Sequence, residues 1–178
     1  MIKPRKIVNL SLIGFMGTGK SSVGRFAAEQ LGFTFLDTDE AIEERSGKTI
    51  TQIFELHGEP VFRQLESDLV KDLATRDHLV ISTGGGLAAN EENLASLKSH
   101  SLVVCLWASP EAIWERVKAQ THRPLLKAPD PLAKIRELLS QRERFYRQAD
   151  VLVNTEQRSI KEVSQHLLHQ FQLARSRK

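Results

Sequence analysis

Cysteine occurs once, so no disulfide can form within this chain. Cys105 sits inside Leu102-Val103-Val104-Cys105-Leu106, an apolar run that points to a buried packing residue rather than a reactive thiol. No stretch resembles a membrane span, so membrane attachment is not expected. The first strand is reached within a few residues of Met1 with no apolar signal region or Arg/Ser-rich leader, and a cytoplasmic protein is expected. Blocks of one charge sign are also missing. The 25 Lys and Arg residues are scattered against 22 Asp and Glu, for a net charge of +3. That balance favours small anionic ligands over nucleic acid, which calls for a concentrated basic face. Among six histidines only His166-x-x-His169 approaches metal spacing, and two ligands alone do not complete a zinc site. Repeats, low-complexity tracts and interdomain linkers are absent too. With 178 residues, 40% of them hydrophobic and 26% charged, the chain is expected to form one globular domain over 1–178.

What is present begins with Gly14-Phe15-Met16-Gly17-Thr18-Gly19-Lys20-Ser21, which fits the phosphate-loop pattern G-x-x-x-x-G-K-[ST]. Ile7 to Ile13 before it reads as a strand. Val23, Phe26, Ala27 and Leu31 after it fall on one helical face. Such a loop presents a concave row of N–H groups and a helix N-terminus to phosphate. Lys20 then reaches the β- and γ-phosphates and Ser21 is placed to ligate Mg²⁺.

Phe33 to Leu36 forms a second strand ending in Asp37-Thr38-Asp39, two carboxylates at the ligand edge of an open sheet. They serve equally as N-cap and first-turn acid of the helix Glu40 to Ser46. Thr49-Ile50-Thr51-Gln52 is a capping box for a short helix through Phe54. Gly58-Glu59-Pro60 ends that helix and starts another, on which Arg63 and Glu66 stand at i, i+3. Spacing alone makes these two a surface ion pair worth about 0.2–0.5 kcal/mol. His78 to Thr83 is a third strand running into Gly84-Gly85-Gly86, which is either a turn or a place where a ligand meets bare backbone.

Asn90 caps the next helix, and Leu102 to Trp107 is a strand buried on both faces. Ser109-Pro110 opens a helix with Ile113, Trp114 and Val117 inward, and both tryptophans are expected in the core. Thr121 to Pro131, rich in proline and basic residues, suits a surface flap carrying Arg123. The helix Leu132 to Ala149 turns Ile135, Leu138, Leu139, Phe145 and Tyr146 inward, and most of Arg142, Arg144 and Arg147 towards its end are expected to be solvated. Asp150 to Asn154 is a fifth strand. Ser159 to Glu162 caps a last helix through Leu173, and the tail Ala174 to Lys178 is expected to fray. Strands alternating with helices predict an α/β fold with a parallel sheet flanked on both faces.

Taken together, the phosphate loop, Asp37-Thr38-Asp39, Phe62-Arg63-x-x-Glu66, Gly84-Gly85-Gly86, Arg123-Pro124-Leu125-Leu126 and Tyr146-Arg147 resemble the shikimate kinase family of small P-loop kinases, within the nucleoside monophosphate kinase structural group. The resemblance runs from about Ile7 to Leu173. It implies a P-loop NTPase fold with five parallel strands in the order 2-3-1-4-5, a mobile lid at about 121–131 and a substrate-binding region at about 37–66. It also implies a monomer using ATP and Mg²⁺ to phosphorylate the 3-hydroxyl of shikimate on the route to chorismate.

By position, the resemblance assigns Gly17, Thr18, Gly19, Lys20, Ser21 and Ser22 to ATP, with Arg116 and Arg158 on the adenine side. Asp39 falls on the residue that contacts the accepting hydroxyl. Asp37 and Ser82 hold Mg²⁺ through water beside Ser21. Arg63 and Arg147 clamp the substrate carboxylate, with Glu66 orienting Arg63. The Gly85 and Gly86 backbone completes the pocket, Phe54 and Phe62 wall it, and Arg123 closes over the transferring phosphoryl group. The alternatives are a kinase for another hydroxylated acid such as gluconate, and a nucleotide-binding module without catalysis.

Overall fold

The computed structural model describes residues 5–119 and 128–176. Most of the expected lid, including Arg123, lies outside the described residues. Five strands, β1 (Asn9–Ile13), β2 (Thr34–Asp37), β3 (Leu79–Ser82), β4 (Ser101–Trp107) and β5 (Val151–Asn154), form one sheet in the order β2-β3-β1-β4-β5. All four pairings are parallel, as the resemblance implied.

The alternation of side chains along each strand sorts the core into two layers. Leu10 and Leu12 of β1 and Val104 and Leu106 of β4 pack on one face with Val23, Ala27, Leu167 and Phe171. These last four come from α1 (Lys20–Leu31) and α7 (Ile160–Ser176). Ile13 of β1 and Val103 and Cys105 of β4 face the other layer. There they meet Leu69 and Leu73 of α3 (Ile50–Leu73), Leu94 of α4 (Glu91–His100), Ile113 of α5 (Pro110–Val117) and Ile135 of α6 (Pro131–Tyr146). Cys105 is buried, and burial pushes its thiol up to about 12, consistent with a packing role.

Helix ends follow the local signals. Asp37 caps the short α2 (Thr38–Ser46) by accepting from the Asp39 N–H at 3.0 Å. Thr49 and Gln52 close a reciprocal capping box at 3.2 and 2.9 Å. Ser159 and Glu162 do the same before α7, at 2.8 and 3.2 Å. Within α3 the helix breaks at Gly58, whose φ of 79° puts it in the left-handed region, and Pro60 begins the second segment. Among the described residues no helix is long and apolar enough to cross a membrane.

Two expectations need correction. Trp107 is 44% exposed rather than core, because it closes β4 beyond the packed residues and its neighbour across the ladder, Asn154, belongs to the edge strand β5. The last helix does not stop at Leu173 but runs to Ser176. Ala174 still packs on the α1 layer and the Arg175 guanidinium covers the Phe171 ring at 5.5 Å. Of Arg142, Arg144 and Arg147, the last two are exposed, as expected of most of them, and Arg142 is half-buried, with surroundings that belong to the site.

Candidate active site

The C-terminal ends of β1, β2 and β3 converge on one cavity of about 240 Å³, lined by Gly17, Lys20, Ser21, Asp37, Asp39 and Gly84 among others. The loop leaving β1 turns through Gly14, Gly17 and Gly19 at φ of 133°, 74° and 92°, values that side chains beyond glycine rarely adopt. Phe15 is buried, and its carbonyl accepts hydrogen bonds from the Thr18 hydroxyl and the Lys20 ammonium, both at 2.8 Å. The lysine is therefore held across the mouth of the loop, beside the N-terminus of α1. Positive charge and helix polarity act together there, as phosphate binding requires.

Parallel pairing places Asp37 beside Ser82, and Ser82 beside Leu12. From the first turn of α1, Ser21 reaches the same spot. Its hydroxyl donates to Asp37 Oδ2 at 2.9 Å, Ser82 donates to the same oxygen at 3.1 Å, and the two hydroxyls are 3.3 Å apart. The other oxygen, Oδ1, is the cap of α2. One carboxylate oxygen thus caps α2 while the other faces the Ser21 and Ser82 hydroxyls. One carboxylate and two hydroxyls form too small a donor set for an all-protein cage. They suit a hard cation that keeps several waters and shares phosphate oxygens, as Mg²⁺ does. Among the described residues no group of three or more His, Cys, Asp or Glu side chains offers another metal site.

The three glycines after β3 are the meeting point of the remaining charged groups. Thr38, buried in the first turn of α2, accepts the Gly84 N–H at 2.8 Å. This brings the Asp39 carboxylate against Gly84 so closely that a Cβ on Gly84 would collide with Oδ1. A Cβ on Gly86 would lie 2.8 Å from Arg63 Nη1. Glycine at both positions is a matter of space rather than of φ. Arg63 in turn donates to buried Glu66 at 2.7 Å and to Glu59 at 2.8 Å, and its guanidinium lies 5.3 Å from the Phe62 ring centre. Phe62 packs on Phe54 at 4.9 Å between centroids.

Burial raises the Glu66 carboxyl above the ordinary glutamate value, with Asp39 adding to the effect; Arg63 and Arg142 pull the other way. For Arg63, burial opposes the charge, but Glu66 and Glu59 outweigh it and hold the guanidinium firmly protonated. The pair is more than the exposed helix contact that spacing alone suggested.

Arg142 completes this group, and Arg147 does not join it. From α6, Arg142 Nη1 donates to the Gly85 carbonyl at 3.1 Å and its guanidinium lies 5.5 Å from the Phe15 ring centre. Arg147 has a side chain 71% exposed and bonds Glu143 on its own helix at 2.8 Å. The physical reason is helical phase. Positions 135, 138/139, 142 and 146 follow one face, so Arg142 lies in the inward stripe and Arg147 outside it. An arginine at an inward position was the signal available in the sequence. Tyr146 on that stripe also donates to the Gly85 carbonyl, at 2.7 Å.

On the opposite side of the loop, Arg116 joins Gly17 to the turn after β5. It donates to the Gly17 carbonyl at 3.1 Å and to the Thr155 hydroxyl and carbonyl at 3.0 and 2.8 Å. Arg158 is exposed in the turn before α7, and Ser22 is exposed in the first turn of α1.

The arrangement offers a phosphate-binding loop with a lysine, an oxygen cluster suited to a hydrated cation, a carboxylate, and two arginines next to bare glycine backbone. The shikimate kinase family model matches residues 16–172. A shikimate kinase of Thermodesulfovibrio yellowstonii is 42% identical over 164 residues, covering 92% of this chain and 95% of that protein. One from Pelotomaculum thermopropionicum is 45% identical over 161 residues, covering 90% and 94%. The solved structure of Acinetobacter baumannii shikimate kinase in complex with shikimate superposes with a TM-score of 0.89 at 38% identity, covering 98% of this chain and 97% of that one. Likeness of this extent along both sequence and fold leaves one conclusion: the chain belongs to the shikimate kinase family.

Proposed function

We propose that this protein transfers the γ-phosphoryl group of ATP to the 3-hydroxyl of shikimate, giving shikimate 3-phosphate and ADP, in the biosynthesis of chorismate and aromatic amino acids. The observation that carries the proposal is the convergence of Asp39, Arg63 and Arg142 on Gly84-Gly85-Gly86, next to the phosphate loop. A substrate with one carboxylate and several hydroxyls needs charged forks and hydrogen-bonding groups rather than an apolar pocket. Arg63 and Arg142 would take the carboxylate, with Gly85 and Gly86 backbone beside them and Phe54 and Phe62 as wall.

Phosphoryl transfer asks little covalent chemistry of the protein. The substrate hydroxyl oxygen bonds to the γ-phosphorus as the bond to the β,γ-bridging oxygen breaks, and the hydroxyl proton passes to Asp39 and then to solvent. Asp39 is an orienter and late acceptor, because an ordinary carboxylate is far too weak a base to ionise an alcohol beforehand. Lys20 neutralises charge developing on the phosphates. Ser21, with Asp37 and Ser82 through water as the resemblance implies, would hold Mg²⁺, which would supply further neutralisation of the phosphate oxygens. Gly17, Thr18, Gly19 and Ser22 join Lys20 and Ser21 around ATP, with Arg116 and Arg158 towards the adenine. Arg123, outside the described residues, is assigned to the transferring group, where an arginine contributes about 10³–10⁵ in rate. A cytoplasmic location is the expectation from the sequence, and a monomeric state is carried over from the family resemblance.

The test is ADP release from ATP and Mg²⁺ with shikimate, with gluconate and with no acceptor. Release that requires shikimate, and is lost in Asp39→Asn while ATP still binds, is the expected result. Release with gluconate alone would replace the substrate, and ATP binding without acceptor-dependent release would replace the enzyme by a binding module.

A further inference from the structure

Two side chains of α6, four residues apart, donate to a single backbone atom. Arg142 Nη1 reaches the Gly85 carbonyl at 3.1 Å and the Tyr146 hydroxyl reaches it at 2.7 Å. This carbonyl lies between the glycine pressed against Asp39 and the glycine pressed against Arg63. Its direction therefore bears on the backbone that separates Asp39 from Arg63. A planar trans peptide also ties it to the next donor: with the Gly85 oxygen turned to α6, the Gly86 N–H points away from α6.

The two donors are not equivalent. Arg142 is part-buried and carries a fork that a substrate carboxylate would claim; its Nη1 has two N–H groups, and turning the fork to the carboxylate competes with its bond to Gly85. Tyr146 is buried, with Ile135 and Phe145 of the same helix in the same core layer. Burial pushes its phenol up to about 12, so it stays a donor throughout the working pH range.

We infer that Tyr146 is a positioning residue: its hydroxyl keeps the Gly85-Gly86 peptide in place while Arg142 transfers its hydrogen bond from the Gly85 carbonyl to the substrate carboxylate. Without that second anchor, binding the carboxylate would loosen the backbone that completes the pocket, and affinity gained at Arg142 would be lost at Gly86. The inference rests on the proposed function for the identity of the carboxylate ligand, but the shared carbonyl is a property of the protein alone.

Tyr146 is the only tyrosine in the chain, so protein isotope-labelled at tyrosine Cζ gives a single phenol resonance. Arg142→Ala without substrate should shift that resonance, since the phenol becomes sole donor to Gly85 and loses the Arg142 charge beside it. Saturating shikimate should shift the wild-type resonance in the same direction. In steady-state kinetics Tyr146→Phe should raise the KM for shikimate about 3–10-fold, the worth of one ordinary hydrogen bond, with the KM for ATP and kcat each within twofold of wild type. A resonance unmoved by Arg142→Ala overturns the inference, and so does a Tyr146→Phe enzyme whose two KM values rise together or whose shikimate KM is unchanged. Wild-type protein without shikimate-dependent ADP release would instead defeat the proposed function. The Arg142→Ala spectrum then still tests the contact of Arg142 with the Tyr146–Gly85 bond.

Discussion

Arg63 Nη1 lies 2.7 Å from Glu66, a carboxylate with 1% of its side chain exposed, while 36% of the Arg63 side chain remains open. Glu59 holds the Arg63 Nε and Nη2 at 3.0 and 2.8 Å, so the guanidinium is fixed by two carboxylates, one buried and one exposed, which preorganises it for the proposed binding role. Glu66→Gln keeps an acceptor but removes the charge behind a bond worth about 1.5–3 kcal/mol. The shikimate KM should rise about tenfold, with a smaller change in kcat. The same variant changes the acid profile of stability. Burial raises the Glu66 carboxyl above 4.5, so this group's contribution to stability is complete below that pH and lost as pH rises through its folded value. Urea melts of Glu66→Gln across this range should lack that loss, and an unaltered profile would remove Glu66 from the balance.

Gly84 and Gly86 lie two residues apart, yet alanine should damage different kinetic constants at each. In Gly84→Ala the new Cβ collides with the Asp39 carboxylate and moves it off the accepting hydroxyl. Misplacement by about 1 Å can cost about 10²-fold, and the loss should fall mainly on kcat. In Gly86→Ala the Cβ lies 2.8 Å from Arg63 Nη1, the end of a flexible side chain that can give way. That loss should fall mainly on the shikimate KM. Parallel effects on both constants in both variants would contradict the separate roles of Asp39 and Arg63.

Arg142 and Arg147 provide a direct comparison on one helix. Truncating Arg142 removes a fork beside Gly85 and should raise the shikimate KM by about 10²-fold, the scale of a charge-assisted hydrogen bond to a carboxylate. Truncating Arg147 removes an exposed pair with Glu143, worth at most about 1 kcal/mol, and should leave both kinetic constants within about twofold. Kinetics on the two alanine variants settle which arginine serves the pocket, and the reverse ranking would restore Arg147.

These two arginines also mark where the sequence stops being informative. The phosphate loop and the caps at Thr49, Asn90, Ser109 and Ser159 were legible because each is fixed by residues within a few positions of one another. Family resemblance extended that to strand order, which no local signal contains. Helical periodicity places Arg142 on the inward face of α6, but only the fold reveals that Gly85, 57 residues earlier, lies opposite. Trp107 misleads for the converse reason. Its run of apolar neighbours marks a buried strand, and the pattern cannot say that the strand outlasts its cover by one residue. The α7 tail belongs with it, because Arg175 over Phe171 is a stabilising contact that composition reads only as a basic end.

At the other end of the sheet, His100 ties stability to pH. Asn9 of β1 donates to the Arg76 carbonyl at 2.7 Å, accepts the Leu79 N–H at 2.8 Å and lies 2.9 Å from His100 Nδ1. Facing an amide NH₂, Nδ1 must be the acceptor, which leaves the proton of a neutral ring on buried Nε2. Burial lowers the His100 pKa; Asp77 opposes this and Arg5 adds to it. The unfolded chain therefore binds a proton more readily than the folded one. The stability contributed by the neutral ring is complete above the ordinary value of 6.5 and is lost as pH falls towards and through the folded value. For one titrating group the slope cannot exceed about 1.4 kcal/mol per pH unit. His100→Gln retains an acceptor for Asn9 but cannot titrate near neutrality. Its unfolding free energy between pH 7 and 5 should fall less steeply than that of the wild type, and superimposable slopes would show that His100 is not the group responsible.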